Sequence, residues 1–321
     1  MTTYFITGGF GFLGQYIVKA LHEHDPEAEL LVLGRTQRTT LLGVENLEKV
    51  RWIRGGLTKL ETYARELAGV DAIIHVAALV SFRKADAEKI MKANVVGTRI
   101  LAQAALDAGC KNFIFISSIS AIGFNSDGIT DETMLPDMEY KRENDIYGYS
   151  KRTSELELKE LTDRMRVIML NPSVVLGPGS ERIEAVFKMA GWLPILPMLS
   201  YINSFVDVRD MARAVVLSLT RGRSGERYIV TAHSVEMLEF VKKALKAAGK
   251  NPLVILVAGP WVHTLDAILW VMDLLKLNPG IRRPSDLVVD KALSWEKIKN
   301  EMGWEPVFTL EQSIIDSVSG E

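Results

Sequence analysis

The chain has 321 residues, 48% hydrophobic and 24% charged, with a formal net charge of -2. That balance suits a globular protein of one or two domains, and the scattered Lys and Arg give no electrostatic case for nucleic acid. One cysteine, Cys110, excludes an internal disulfide and a cysteine-built metal site, and fits a reducing, cytoplasmic setting.

In chain order, "TYFITGG", "ELLVLGR", "VRWIRGG", "DAIIHVAA", "NFIFISS" and "RVIMLNPSVVLG" read as strands, and no secretory leader is expected before the first. Their near-continuous hydrophobicity suits a parallel sheet covered on both faces. Between them, Phe12, Leu13, Tyr16, Ile17, Ala20 and Leu21 repeat at helical spacing, as do Ile90, Ala93, Asn94, Gly97, Leu101 and Ala104. The alternation predicts an α/β fold: a Rossmann-type doubly wound parallel sheet. Residues 1–171 are expected to form the Rossmann domain, with 203–222 returning to it, and 172–321 mainly a smaller, interleaved lobe. In that lobe "WLPILPMLS" is apolar and proline-punctuated, "FVDVRDMARAVVLSL" is a strand entering a helix, and "ERYIV" is another strand. The apolar stretch 253–277 is broken by Pro260, His263, Asp266 and Asp273, so no integral span of about twenty apolar residues is expected. It reads as a buried helix.

The stretch "TGGFGFLG" follows the first strand and opens the first helix. Gly8, Gly11 and Gly14 allow a tight turn, close approach of backbone N–H groups to a pyrophosphate, and close helix–strand packing. The N-terminus of the helix then faces the phosphates. Thr7, Gly8, Gly11, Phe12, Leu13 and Gly14 are the predicted cofactor loop. About twenty residues on, where NAD-binding sequences place a ribose-binding carboxylate, stands Gly34, followed by Arg35. Without a carboxylate to repel it, a 2′-phosphate is able to pair with Arg35, helped by Arg38, so NADP(H) is preferred and NAD(H) is possible.

In "IYGYSKRTSE", Tyr147 and Lys151 are four apart and share a helix face, whereas Tyr149 points elsewhere. Such a pair could be a contact, a packing pair, or a proton donor with its tuner. "TGGFGFLG", "DAIIHVAA", "NVVGT", "FISS", "YGYSK" and "FVDVRD" occur in the order seen in extended short-chain dehydrogenases/reductases. Within them the chain most resembles the dihydroflavonol-reductase and 3β-hydroxysteroid-dehydrogenase branch, grouped broadly with NAD-dependent epimerases/dehydratases. The resemblance covers nearly the whole chain.

It implies that Tyr147 is the general acid for a carbonyl oxygen, with Lys151 and the oxidised nicotinamide favouring its phenolate. Lys151 also holds the nicotinamide ribose. Ser118 hydrogen-bonds the substrate oxygen, Asn94 helps organise the site, and Ala77 and Pro172 line the cofactor. His75 and His233 are expected to be idle in catalysis, and no metal site is expected. Asp207, Arg209 and Asp210 are expected to tie the lobes together by ion pairs.

Nucleotide-sugar relatives carry an asparagine where Val174 stands and an arginine where Asn203 stands, and no Asp–Glu pair follows Ser118. Arg282 and Arg283, in "GIRRPSD", point the other way, although Ser285 or Asp286 could simply cap a helix there. Met134, Leu135, Trp192, Ile195 and Leu196 suit an uncharged substrate, with Met134, Trp192 and Leu196 as candidate contacts beside Ser118. The expected activity is NADP(H)-dependent interconversion of a carbonyl and an alcohol on a small, relatively apolar molecule. A nucleotide-sugar epimerase or dehydratase is the alternative, and a non-catalytic NADP-sensing protein is the third reading. A homodimer through the helices bearing Asn94 and Tyr147 is expected.

Overall fold

The computed structural model describes residues 1–36, 49–125, 128–180, 194–257 and 290–319, with isolated positions between 262 and 272. Arg38, Trp192, Arg282, Arg283, Ser285 and Asp286 lie outside the described residues.

A seven-stranded sheet forms the centre. Its strands are β1 (Thr3–Thr7), β2 (Glu29–Gly34), β3 (Val50–Arg54), β4 (Ala72–His75), β5 (Asn112–Ile116), β6 (Arg166–Pro172) and β10 (Arg227–Val230). They lie in the order β10-β6-β5-β4-β1-β2-β3, and every neighbouring pair is parallel. This is the doubly wound arrangement predicted from the alternation. Strand order reverses between β1 and β4, where ligands bind outside the carboxyl ends of the strands.

Successive residues of each strand face opposite ways, so the sheet has two apolar cores. Tyr4, Ile6, Val32, Ile74, Ile114 and Leu170 pack under α1 (Phe12–His24) and α6 (Val208–Ser218). Phe5, Leu31, Ile73, Phe113, Phe115 and Met169 pack under α3 (Gly97–Asp107) and α5 (Ile146–Lys159). Burial on both faces is why these strands read as unbroken apolar runs.

Two expectations are corrected. "RVIMLNPSVVLG" is two strands: β6 ends at Pro172, and β7 (Val174–Leu176) belongs to a separate sheet with β9 (Ile202–Asp207) and β11 (His233–Glu236). Proline has no N–H to carry a central ladder further. In the 253–277 stretch, Leu253–Leu256 is an exposed strand, β12, parallel to β8 (Ile195–Met198), rather than buried helix.

The smaller lobe has its own core of Leu176, Phe205, Phe240, Leu245 and Ile314, from β7, β9, α7 (Met237–Ala247) and α9 (Leu310–Ser319). The chain returns to the main core a second time, through Ile298 and Met302 of α8 (Glu296–Met302) and through Trp304. Asp207 accepts from Arg209 and from Ser313 Oγ, and Arg209 reaches Asp316 at 2.6 Å. Asp210, fully buried, accepts from the Val307 and Phe308 N–H groups. The start of α6 is thus fastened to the C-terminal segment by the expected kind of ion pair at Arg209–Asp316, whereas Asp210 makes its tie through backbone N–H groups and keeps its own ion pair, with Arg213, inside α6.

Candidate active site

The loop from Thr7 to Gly14 shows why it needs glycine. Gly8 has φ 72°, and a Cβ there would stand 2.8 Å from the Ala77 backbone. A Cβ on Gly14 would stand 2.1 Å from the Gly8 carbonyl oxygen. The loop is therefore pressed against the end of β4 and the start of α1. Gln15 N bonding to Gly11 O begins the helix, leaving the N–H groups of Phe12, Leu13 and Gly14 without an intrahelical acceptor. No acidic side chain lies in that turn. This backbone suits a pyrophosphate, and Thr7, Gly8, Gly11, Phe12, Leu13, Gly14 and Ala77 are the residues that would hold it.

His75 joins this loop to the helical layer. It is fully buried between Thr7 Oγ1, 2.7 Å from Nδ1, and Thr98 Oγ1, 2.8 Å from Nε2. Thr98 donates onward to the Asn94 carbonyl, and Ala77 N donates to Thr7 Oγ1 at 3.2 Å. These directions leave Thr98 accepting, so the proton is on Nε2 and Thr7 donates to Nδ1. Burial, and secondarily the charge of Lys151, lowers the imidazole pKa to about 3, which keeps it neutral. Its imidazole does more than the sequence suggested: it locks the cofactor loop to the Asn94 segment.

Asn94 lies in a π-helical turn, Met91–Val96, between α2 (Ala87–Ile90) and α3. Its side chain is fully used. Oδ1 accepts from Leu79 N at 2.7 Å, and Nδ2 donates to Leu79 O at 3.1 Å and to Ser150 Oγ at 3.0 Å. It holds the strand-β4 loop against α5.

Tyr147 and Lys151 do share the buried face of α5, while Tyr149 is only half-buried. Asp145 caps the helix by accepting from Gly148 N at 3.1 Å. Phe82 meets the Tyr147 ring edge-on at 6.1 Å. Lys151 Nζ donates to the Ile116 carbonyl at 2.7 Å and lies 4.7 Å from the Phe115 ring centroid. Complete burial lowers its pKa to about 7, opposed by the nearby Glu155 carboxylate. Ser118 follows β5 in extended conformation and remains partly accessible; its Oγ accepts from Ser120 N at 3.1 Å. Ser117 points away, into the interior, and donates to Glu155 at 2.6 Å. Pro172 is buried at the end of β6.

Met134 packs beside Ile119, Ile122, Ile229 and Leu293, near the turn that follows Ser118. Leu196 belongs to the apolar core of the smaller lobe, among Phe205 and Phe240. Gly34 sits under Phe10, whose ring a Cβ would meet at 2.8 Å, and Arg35 is exposed beside it. Sequence reading missed Arg54, which lies opposite Gly34 in the β2–β3 register and is also exposed. Only the strand register could reveal it. Among the described residues there is no group of three or more potential metal ligands, and no helix is long and apolar enough to cross a membrane.

A doubly wound sheet with this glycine loop at its switch point is the arrangement of a dinucleotide-binding fold. The sequence profile of the NAD dependent epimerase/dehydratase family matches residues 4–231, and the chain belongs to that family. It is an NAD(P)-dependent oxidoreductase of the extended short-chain dehydrogenase/reductase type, with relatives named as steroid dehydrogenases. It is 30% identical over 240 residues to sterol demethylase protein B of Methylococcus capsulatus, covering 72% of this chain and 70% of that protein. It is 26% identical to human 3 beta-hydroxysteroid dehydrogenase type 7, covering 97% of this chain and 93% of that protein. Among solved structures, dTDP-glucose 4,6-dehydratase DesIV of Streptomyces venezuelae, with NAD and TYD bound, superposes with a TM-score of 0.80. It is 24% identical and covers 99% of this chain and 96% of that one, a likeness of fold.

Proposed function

We propose that this protein is an NADP(H)-dependent reductase or dehydrogenase that interconverts a carbonyl and an alcohol on a small, relatively apolar molecule. The observation carrying this reading is the buried Tyr147–Lys151 face of α5, packed against the turn that follows Ser118. A bound nicotinamide dinucleotide supplies the hydride to the carbonyl carbon. Ser118 donates a hydrogen bond to the carbonyl oxygen, and Tyr147 gives that oxygen its phenolic proton, which completes the alcohol. In the oxidising direction Tyr147 takes the proton back. Lys151, as an ammonium, favours the phenolate and holds the ribose, and Asn94 keeps α5 and the β4 loop in register.

Arg35 and Arg54 flank a Gly34 that carries no carboxylate, which supports NADP(H) over NAD(H). Phe82 against the Tyr147 ring, and Met134 with Leu135 beside the turn that follows Ser118, supply apolar surface near these residues, and Trp192 and Leu196 belong to the lobe we assign to the substrate, mainly residues 172–321. Val96, at the end of the π-helical turn that leads into α3, and Leu156 of α5, 39% and 43% exposed, support a homodimer through these helices. The lone Cys110, buried, suits a cytoplasmic setting.

Tyr147→Phe tests the reading. It is expected to lower carbonyl turnover by roughly a thousandfold or more, with NADPH affinity, followed by nicotinamide fluorescence, nearly unchanged. Turnover equal to the unaltered protein would sink the assignment.

A further inference from the structure

Behind Tyr147 and Lys151, the same face of α5 carries Glu155. Residues 147, 151 and 155 are spaced four apart, so they form one stripe. Glu155 is 1% exposed, an unusual place for a carboxylate, and it is fully engaged. Its Oε1 accepts from Ser117 Oγ at 2.6 Å and from Asn171 Nδ2 at 2.6 Å. Its Oε2 accepts from Arg152 at 3.0 Å and lies 3.8 Å from Arg227 of β10. Asn171 Nδ2 also donates to the Ser118 carbonyl at 2.9 Å.

The geometry points to Glu155 as a positioning residue of the site: its carboxylate fixes the Ser118 backbone through Ser117 and Asn171, and answers the charge of Lys151 one turn away. This rests on the reading of Tyr147, Lys151 and Ser118 given above. Three consecutive residues at the end of β5 are held by it and by its neighbours. Ile116 O takes Lys151, Ser117 Oγ reaches Glu155, and Ser118 O takes the asparagine that Glu155 orients. A side chain bonded through Ser117 and Asn171 at once leaves the Ser118 backbone little freedom to drift from Tyr147.

The charge argument follows from what surrounds Lys151. From α5 it faces Tyr147 and Glu155; from β4, neutral His75; from β5, the Ile116 carbonyl and the Phe115 ring. Around Glu155 stand Arg152 of α5 and Arg227 of β10, and Arg227 in turn donates to the Glu132 carbonyl. Glu155 is the negative charge that raises the Lys151 ammonium against its burial. Without it, Lys151, Arg152 and Arg227 would share a buried region as like charges, and the lysine is the one able to shed its proton.

Glu155→Gln keeps the shape and removes the charge. In cofactor-free protein labelled with 13C at lysine Cε, with the Lys151 resonance assigned by Lys151→Met, the Lys151 titration midpoint is expected to fall by roughly one pH unit. The alkaline limb of the pH–rate profile should move down with it. Glu155→Asp retains the charge but shortens the arm, so the midpoint should stay near that of the unaltered protein while kcat falls roughly tenfold. An unmoved Lys151 midpoint together with an unmoved pH–rate profile in Glu155→Gln overturns the proposal, leaving Glu155 a purely structural residue. If Glu155→Gln does not fold, full kcat in Glu155→Asp overturns it instead. Tyr147→Phe separates the two levels: unchanged turnover there defeats the site reading itself, whatever Glu155 does.

Discussion

Gly148 separates the two tyrosines of α5, and its hydrogen side faces two oxygens. A Cβ at this position would stand 2.4 Å from Asp145 Oδ2 and 2.5 Å from the Ser120 carbonyl, where real contacts stay above 3.0 Å. Asp145 is able to swing away, giving up its cap on Gly148 N; the Ser120 carbonyl is backbone and belongs to the turn that follows Ser118. Gly148→Ala must therefore push the first turn of α5 away from that turn by at least about 0.5 Å, on the spacing real Cβ contacts keep. Overpacking of this kind costs about 1–3 kcal/mol, and alanine returns about 1 kcal/mol through helix propensity. Loss of the Asp145 cap adds about 1 kcal/mol where it occurs. With the cap lost the net is a destabilisation of about 1–3 kcal/mol, or a Tm lower by roughly 2–5 °C for a chain of this length. Because Tyr147 rides on that turn, turnover should fall by roughly tenfold or more, half an ångström on a scale where a full ångström costs about a hundredfold. Nicotinamide fluorescence titration should show cofactor affinity nearly intact, since the Gly8–Gly14 loop lies elsewhere. A variant with unchanged turnover and an equal or higher Tm would refute the claim that close contact between α5 and the Ser118 turn sets the position of Tyr147.

Two further outcomes are expected. Lys151 is depressed from an ordinary 10.5 to about 7, so the unfolded chain binds the extra proton and this lysine's penalty shrinks as pH rises from about 7 towards 10.5. Full penalty, at most about 5 kcal/mol, applies below pH 7. Lys151→Met should therefore gain more Tm relative to the unaltered protein at pH 6 than at pH 9, by a few degrees, and a pH-independent difference in melting scans contradicts the burial argument. The second concerns cofactor choice: Arg35→Ala and Arg54→Ala should each weaken NADPH binding by roughly tenfold, one charge-assisted hydrogen bond, and leave NADH within about twofold. Equal losses for both cofactors would remove the 2′-phosphate from the account.

What the sequence revealed and what it hid follow from the range over which each feature is determined. The central strands were legible because burial on both faces leaves them almost no polar positions, and the phosphate loop because its glycines answer local backbone crowding. Tyr147 and Lys151 were legible as a pair because four residues make one turn. The division at Pro172 was only half visible: the proline signals a stop to the ladder, but nothing local says that Val174 begins a strand of another sheet. The π-turn at Met91–Val96 was invisible, since a single residue of extra helical width leaves the apolar spacing of Ile90, Gly97 and Leu101 readable as ordinary helix.

Glu155 shows the limit most clearly. Its spacing from Lys151 is as plain as that of Tyr147, yet a glutamate on a charged helix reads as a solvated position. It becomes interior only because Ser117, just past β5, Asn171 of β6 and Arg227 of β10 converge on it, the last of them more than seventy residues further along the chain. A face of α5 that looks half-polar in sequence is, once the sheet is assembled, interior, and the Glu155 carboxylate held there opposes the effect of burial on Lys151.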